Sequence, residues 1–339
     1  MFSDQTFIDF LELSKHVTSL LVKCPDLIGS HTETRSVMDL HYWSDAGMLM
    51  LVTADLSSFL EKSGFFSFGK KKETIQTPGS IAGYSQGKTD EKQIGDYNFK
   101  QEWWINYPTP SAKAAWSSKL EMLVCGEDSG MMHFVKPCAT NMLKCEELFF
   151  IKVHSERLTA IDIDDERKLV YSVAEDRKFK VVDLNKKTIS SEFEASSKKI
   201  HCMQIDKKDR IAYVGDGEGN VKIIDLSKNP PTCINNIKVS SKDSVVAINL
   251  ANNMIYSACG ESGKIYVHTL GDVKDTVDQN ITQSTFRVLK YSFTSYKGVT
   301  AMYYWKERDE LYVGHSNGIV AVFTKYVSID FPFCSNYSN

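Results

Sequence analysis

The sequence predicts an all-β fold in which one small antiparallel sheet is repeated along the chain. Three observations carry that prediction. A hairpin pattern recurs six times, most copies start about 42–54 residues apart, and turn-forming residues punctuate each copy at matching places. The copies read VMDLHYWSDAGMLMLVTADLSSFL at 37–60 and SAKAAWSSKLEMLVCGEDSGMMHFV at 111–135. They continue as LTAIDIDDERKLVYSVAEDRKFKVVDL at 158–184, IHCMQIDKKDRIAYVGDGEGNVKIIDL at 200–226 and VVAINLANNMIYSACGESGKIYVHTL at 245–270. VTAMYYWKERDELYVGHSNGIVAVF at 299–323 is the last.

Each element of the unit has its own reason. A first strand alternates apolar and polar residues, as in Leu158, Ala160 and Ile163, or Val299, Ala301 and Tyr303. A charged turn follows, such as Asp164-Asp165-Glu166-Arg167-Lys168, where hydrated backbone tolerates such residues. The second strand runs into a small residue. Gly126, Gly215, Gly260 and Gly314 each stand fourteen positions after Ala112, His201, Val246 and Thr300, which suits tight packing or the torsions of the coming turn. Glu127-Asp128-Ser129-Gly130, Gly217-Glu218-Gly219-Asn220, Glu261-Ser262-Gly263 and Ser316-Asn317-Gly318 have hairpin-turn chemistry. A near-continuously apolar third strand closes the unit, and a more variable fourth completes about 40–45 residues. One such sheet cannot bury both its faces, so several must stack. The period is that of a β-propeller blade. A β-sandwich built of similar hairpins is the competing architecture, and sandwiches rarely repeat one pattern six times.

These residues resemble the WD-repeat family. The dipeptide ending that family's third strand stands here as Val182-Asp183 and Ile224-Asp225, with apolar residues in place of tryptophan. The family's hydrogen-bonded set of histidine, serine or threonine, aspartate and tryptophan is approached only at 154–184. His154 and Asp176 fit it there, and Ala174 and Val182 replace serine and tryptophan. The resemblance implies a structural His154–Asp176 hydrogen bond. A closer likeness, over roughly residues 100–325, is to the propeller part of WD repeat and FYVE domain proteins. It rests on KVHSERLTAIDIDDERKLVYS and DKKDRIAYVGDGEGNVKIIDL. The FYVE module is absent, because 271–298 contains no cysteine or histidine, so zinc and endosomal lipid do not carry over. The paired-arginine motif of phosphoinositide-binding propellers is missing too.

The whole chain, 1–339, reads as one propeller domain of six or seven blades, with seven preferred. The seventh would combine strands from both ends, TFIDFLEL, HVTSLLV or DLIGS with YVSIDF, and so remove two exposed edges. The head also suits an amphipathic helix, in which case six blades fit better. Residues 64–97, rich in Gly, Ser, Lys and Thr, read as a long excursion between the third and fourth strands of the first unit. The fourth strand would resume at YNFKQEWWIN.

Function is less legible. The net charge of -3 gives no electrostatic case for nucleic acid or a membrane surface. The amino terminus carries acids where a secretory signal would be basic, and no apolar run reaches a membrane-span length, so a cytoplasmic protein is expected. Eight scattered cysteines without Cys-x-x-Cys spacing suit reduced thiols. Zinc spacings, phosphate loops and nucleophile elbows are absent, and no cofactor, metal or catalytic residue is assigned. GDGEGN at 215–220 reads as a hairpin turn rather than a calcium loop, and DIDDE at 162–166 as a solvated turn rather than a metal site. The expected function is a non-enzymatic scaffold or complex subunit whose partners are other proteins. Candidate contacts are Phe65, Phe66, Phe68, Lys70, Lys71 and Lys72 in the excursion, with Trp103, Trp104, Arg177 and Lys178 on blade turns. Two alternatives are an enzyme using the propeller channel and a phosphoinositide- or membrane-associated adaptor. The first is disfavoured because the inner strands offer Ala160, Met203, Ile248 and Met302 rather than convergent carboxylates.

Overall fold

The structure is a computed structural model that describes residues 35–55, 78–86, 99–138, 145–269, 298–316 and 320–324. The chain divides into two compact units, Met1–Leu158 and Thr159–Asn339. Apart from a single 3-10 turn at Ser44–Ala46, the described secondary structure is strand. The fold is all-β.

Among the described residues, the first unit holds two four-stranded sheets. One runs β1 (Arg35–Trp43), β2 (Met48–Asp55), β3 (Gly79–Gln86), β4 (Phe99–Tyr107), and the other β5 (Ser111–Ser117), β6 (Met122–Glu127), β7 (Met131–Pro137), β8 (Cys145–Lys152). The second unit begins within β9 (Leu158–Asp164), which continues as β10 (Leu169–Ala174), β11 (Lys178–Asp183) and β12 (Thr188–Glu194). Next come β13 (Ile200–Asp206), β14 (Ile211–Asp216), β15 (Asn220–Asp225) and β16 (Thr232–Lys238). Two three-stranded sheets follow: β17 (Val245–Ala251), β18 (Met254–Cys259), β19 (Ile265–Thr269), then β20 (Val299–Trp305), β21 (Glu310–His315), β22 (Val320–Thr324). Every sheet is an antiparallel meander, the topology that short turns allow.

Burial explains the composition of each strand. The second and third strands lie inside the stack and are covered on both faces, so β10 and β14 are buried almost throughout and read as apolar runs. The fourth strand is a free edge, and β12 alternates exposed and part-buried residues. Sheets of the first unit join through Trp43, Met48, Met50, Ile81 and Trp103 against Leu123, Cys125 and Val135. In the second unit the third and fourth sheets share Tyr171, Phe179, Ile205 and Val214. Later interfaces are built by Tyr213, Val221 and Ile223 with Val245 and Ile255, then by Ala258 and Ile265 with Leu311 and Val313. Ala160, Met203, Ile248 and Met302 pack into these same clusters.

A β-bulge recurs near the start of the first strand. The register slips between Val37 and Asp39, Ser111 and Lys113, Ile200 and Cys202, Val245 and Ala247, and Val299 and Ala301. The skipped residues include Ala112, His201, Val246 and Thr300, the positions from which the glycines were counted. Gly126, Gly215 and Gly314 stand opposite Lys113, Cys202 and Ala301 just past the bulge. The equivalence of Gly260 is corrected. Ala258 occupies that place opposite Ala247, while Gly260 follows the end of β18. The hairpin there is displaced by two residues, which counting along the chain could not reveal.

The third strand of the first sheet also needs correction. It is β3, Gly79–Gln86, inside the stretch assigned to an excursion. Gly and Ser masked it, because its glycines mark close approaches rather than a loop. A Cβ on Gly83 would fall 2.2 Å from the Trp103 ring, and one on Gly79 would fall 2.1 Å from the Thr109 carbonyl oxygen. Ile81 and Tyr84 supply the buried side chains between them. β4 does contain the expected resumption at Phe99–Tyr107. Residues 1–34, 56–77, 87–98 and 325–339, and with them Phe65, Phe66, Phe68, Lys70, Lys71, Lys72 and the composite terminal blade, lie outside the described residues.

Candidate interaction surface

Pairing in the first sheet puts one apolar row across all four strands. Leu40 stands opposite Leu51, Leu51 opposite Ala82, and Ala82 opposite Trp104. A second row beside it joins Tyr42, Leu49 and Tyr84. The middle of this face is closed, with Leu51, Ala82 and Tyr84 buried around Leu49. Its rims are open: Leu40 is 52% exposed, Tyr42 56% and Trp104 37%. Alternation along β4 turns Trp103 to the opposite face, where it is buried and its Nε1 donates to the Met48 sulfur at 3.2 Å. Trp103 is therefore core, and the expectation that it is a partner contact is corrected. Trp104 is the tryptophan that reaches the surface.

Arg177 and Lys178 lie at the hairpin between β10 and β11, in the second unit. Arg177 Nε sits 3.8 Å from Glu194, and Lys178 Nζ sits 3.3 Å from Glu192. Lys180 reaches the same Glu192 at 2.6 Å, and these lysines hold that carboxyl below its ordinary range. Both candidate cations are thus already paired with strand β12.

The turns themselves are held by carboxylates. Asp183 Oδ1 accepts from the backbone of Asn185 and Lys186, and Asp225 Oδ1 from Ser227. The aspartate of the WD-like dipeptide thus works as a turn cap. Asp164 accepts from Glu166 and Arg167 backbone and from the Arg167 guanidinium, while Asp162 pairs with Lys207 at 3.0 Å. In GDGEGN, both Asp216 oxygens are occupied: they accept from the backbone of Glu218 and Asn220, the Asn220 amide and the Ser196 hydroxyl. Among the described residues, no group of three or more His, Cys, Asp or Glu is arranged to hold a metal ion.

The Ser196–Asp216 bond, 2.8 Å and buried, was missed by sequence reasoning. Ser196 precedes Ile200 by four residues, as His154 precedes Leu158, and that spacing was the available signal. His154 is buried and belongs to the first unit, whereas Asp176 lies in the second and accepts from the Lys178 backbone at 3.1 Å. A second missed cluster centres on Glu127, at the place in β6 that Asp216 takes in β14. Its carboxylate accepts from Ser129 Oγ at 2.8 Å and from Thr109 Oγ1, and faces His133 Nε2 at 3.1 Å. On the far side of that ring, Nδ1 meets Glu147 at 2.5 Å.

Three comparisons with known proteins bear on this architecture. No family model matches the chain. No curated protein matches it in sequence. Solved structures do match. A chain of the crystal structure of the mitotic checkpoint complex superposes with a TM-score of 0.61 at 10% identity, covering 87% of this chain and 76% of that one. At that identity the likeness concerns the fold alone, and the fold is an all-β propeller. Among the described residues no helix is long and apolar enough to cross a membrane.

Proposed function

We propose that this chain is a non-enzymatic interaction scaffold or a subunit of a larger protein complex, working in the cytoplasm as one propeller domain. The observation that carries the reading is the open apolar rim of the first sheet. Leu40 and Tyr42 sit on β1 and Trp104 on β4, the two edge strands of one paired sheet, so a partner meets large apolar side chains at either rim of a rigid frame. A chain of like fold in the mitotic checkpoint complex supports the same role, since that protein is seen within an assembly. The finer likeness to WD repeat and FYVE domain proteins, and the structural His154–Asp176 bond it implies, belong to this proposal. So do the Phe65–Lys72 segment, Arg177 and Lys178 as further contacts, and the lack of a nucleic-acid partner.

Affinity purification from native cells tests it, comparing the wild type with a Leu40→Ser, Tyr42→Ser, Trp104→Ser variant and with residues 64–76 replaced by a Gly/Ser linker. β3 is left intact, because it belongs to the sheet. A specific partner reduced tenfold or more in one variant, with circular dichroism unchanged, is the expected outcome. Recovery of no specific partner, or saturable turnover of a substrate by the purified chain, overturns the proposal.

A further inference from the structure

Within the first unit, one buried histidine stands between two carboxylates from different strands. His133 on β7 places Nε2 3.1 Å from Glu127 on β6 and Nδ1 2.5 Å from Glu147 on β8. The ring is 7% exposed and Glu127 fully buried, whereas the Glu147 side chain is about one-third open to water, at 34%. The Tyr107 ring lies against the imidazole with centroids 4.0 Å apart, and Phe150, 61% exposed on β8, flanks it at 5.9 Å. We propose that His133, bridging Glu127 and Glu147, is a proton-operated latch that holds strand β8 to its sheet and loosens it on deprotonation.

The chemistry follows from counting hydrogens. An imidazolium carries two N–H groups and can donate to both carboxylates at once, whereas a neutral imidazole carries one. After proton loss, one nitrogen presents a lone pair to a carboxylate oxygen. Glu127 is the partner that keeps its bond, because the Thr109 and Ser129 hydroxyls already fix it in the interior. Glu147 is left facing the Nδ1 lone pair and turns to water. Among the described residues β8 pairs with β7 alone, so losing that tie loosens an edge strand whose remaining hold is the β7 ladder and the Phe149 ring stacked on Phe134.

The two thiols and the phenol nearest the ring stay neutral. Burial raises the thiols of Cys125 on β6 and Cys145 on β8, the latter to about 12, and raises the Tyr107 hydroxyl at the end of β4. Two cations hold the adjoining turn: Lys152 donates to the Ser129 carbonyl, and Arg157 Nε lies 3.2 Å from Asp128. Burial opposes the charge on His133, but hydrogen bonds and charge from both glutamates outweigh it and raise its titration above 6.5. Burial likewise opposes the charge on Glu127, yet the bonds from His133, Thr109 and Ser129 hold it below 4.5. The stabilisation from His133 is therefore complete below pH 6.5 and lost as pH rises through the raised value. That from Glu127 is lost as pH falls through its lowered one. The latch is closed between the two.

Hydrogen exchange of the full chain from pH 6 to 9, corrected for intrinsic rates, reads the state of β8 directly. Protection of Cys145–Lys152 should fall about tenfold over that range, the size of one charge-assisted hydrogen bond. His133→Gln should flatten the profile. Glu147→Gln, at a partly exposed site, should flatten it too and keeps the test sound if the first variant fails to fold. NMR titration of the His133 ring supplies the second readout and should show a midpoint above 6.5 that drops in Glu147→Gln. A pH profile for β8 identical in wild type and Glu147→Gln, or a His133 ring that takes up no proton between pH 5 and 9, overturns the proposal.

Discussion

Replacing Gly219 with alanine tests the turn architecture most sharply. Gly219 closes the hairpin between β14 and β15 at φ +80°, where an L side chain costs about 1–2 kcal/mol. Space is also lacking. A Cβ would fall 2.4 Å from the Ser240 carbonyl oxygen and 2.5 Å from that of Asp243, both backbone atoms that cannot rotate aside. Relief means moving the loop after β16, which puts at risk the bonds from Val239 and Ser240 N–H to the Gly219 carbonyl, 2.9 and 3.1 Å. Each such bond is worth about 0.5–1.5 kcal/mol net. The substitution should therefore cost about 3 kcal/mol, read as a lower urea midpoint at unchanged slope. A loss below about 0.5 kcal/mol would refute the reasoning, since neither torsion nor contact would then constrain this turn.

Two further predictions use the same connections. Arg177 takes the place of Gly130 and Gly219 in its own hairpin, with φ 69°, so Arg177→Gly should raise stability by about 0.5–1 kcal/mol in the same titration. Its exposed pairing with Glu194 offsets little of that gain. Ser196→Ala removes a hydroxyl from the buried Asp216 carboxylate and should cost about 1.5–3 kcal/mol. An unchanged melting curve would mean that water replaces the hydroxyl freely.

Much of the architecture could be read from the chain because strand burial writes itself into composition. Leu169–Ala174 and Ile211–Asp216 are covered on both faces, so their apolar runs stand out beside charged turns. β3 evaded the same reading. Its inner space is taken by the Trp103 ring and by backbone, which demands glycine and leaves a stretch with the composition of a loop. Trp103 and Trp104 differ only in which side of β4 they occupy, and that depends on register across the whole sheet. The cluster of Glu127, His133 and Glu147 was hidden for another reason. Its members come from three strands and share no spacing motif, so only the folded sheet brings them together. The proposed contacts lie on side chains at rims and turns, where sequence pattern is weakest.

The connectors between sheets have a further consequence. In the second unit the link from β12 to β13 is tied twice: Ala195 and Ser196 N–H reach back to the Arg177 carbonyl, and Ser196 Oγ reaches forward to Asp216. The link from β16 to β17 repeats the scheme, with Ser240 N–H on Gly219 behind and Asp243 accepting from Glu261 and Ser262 ahead. Loops stapled at both ends behave as moulded ridges rather than loose string. Anything that settles on that end of the second unit finds its landing ground already set, and sacrifices little entropy to freeze it. The same stapling should deny a protease the slack it needs to draw these segments into its cleft.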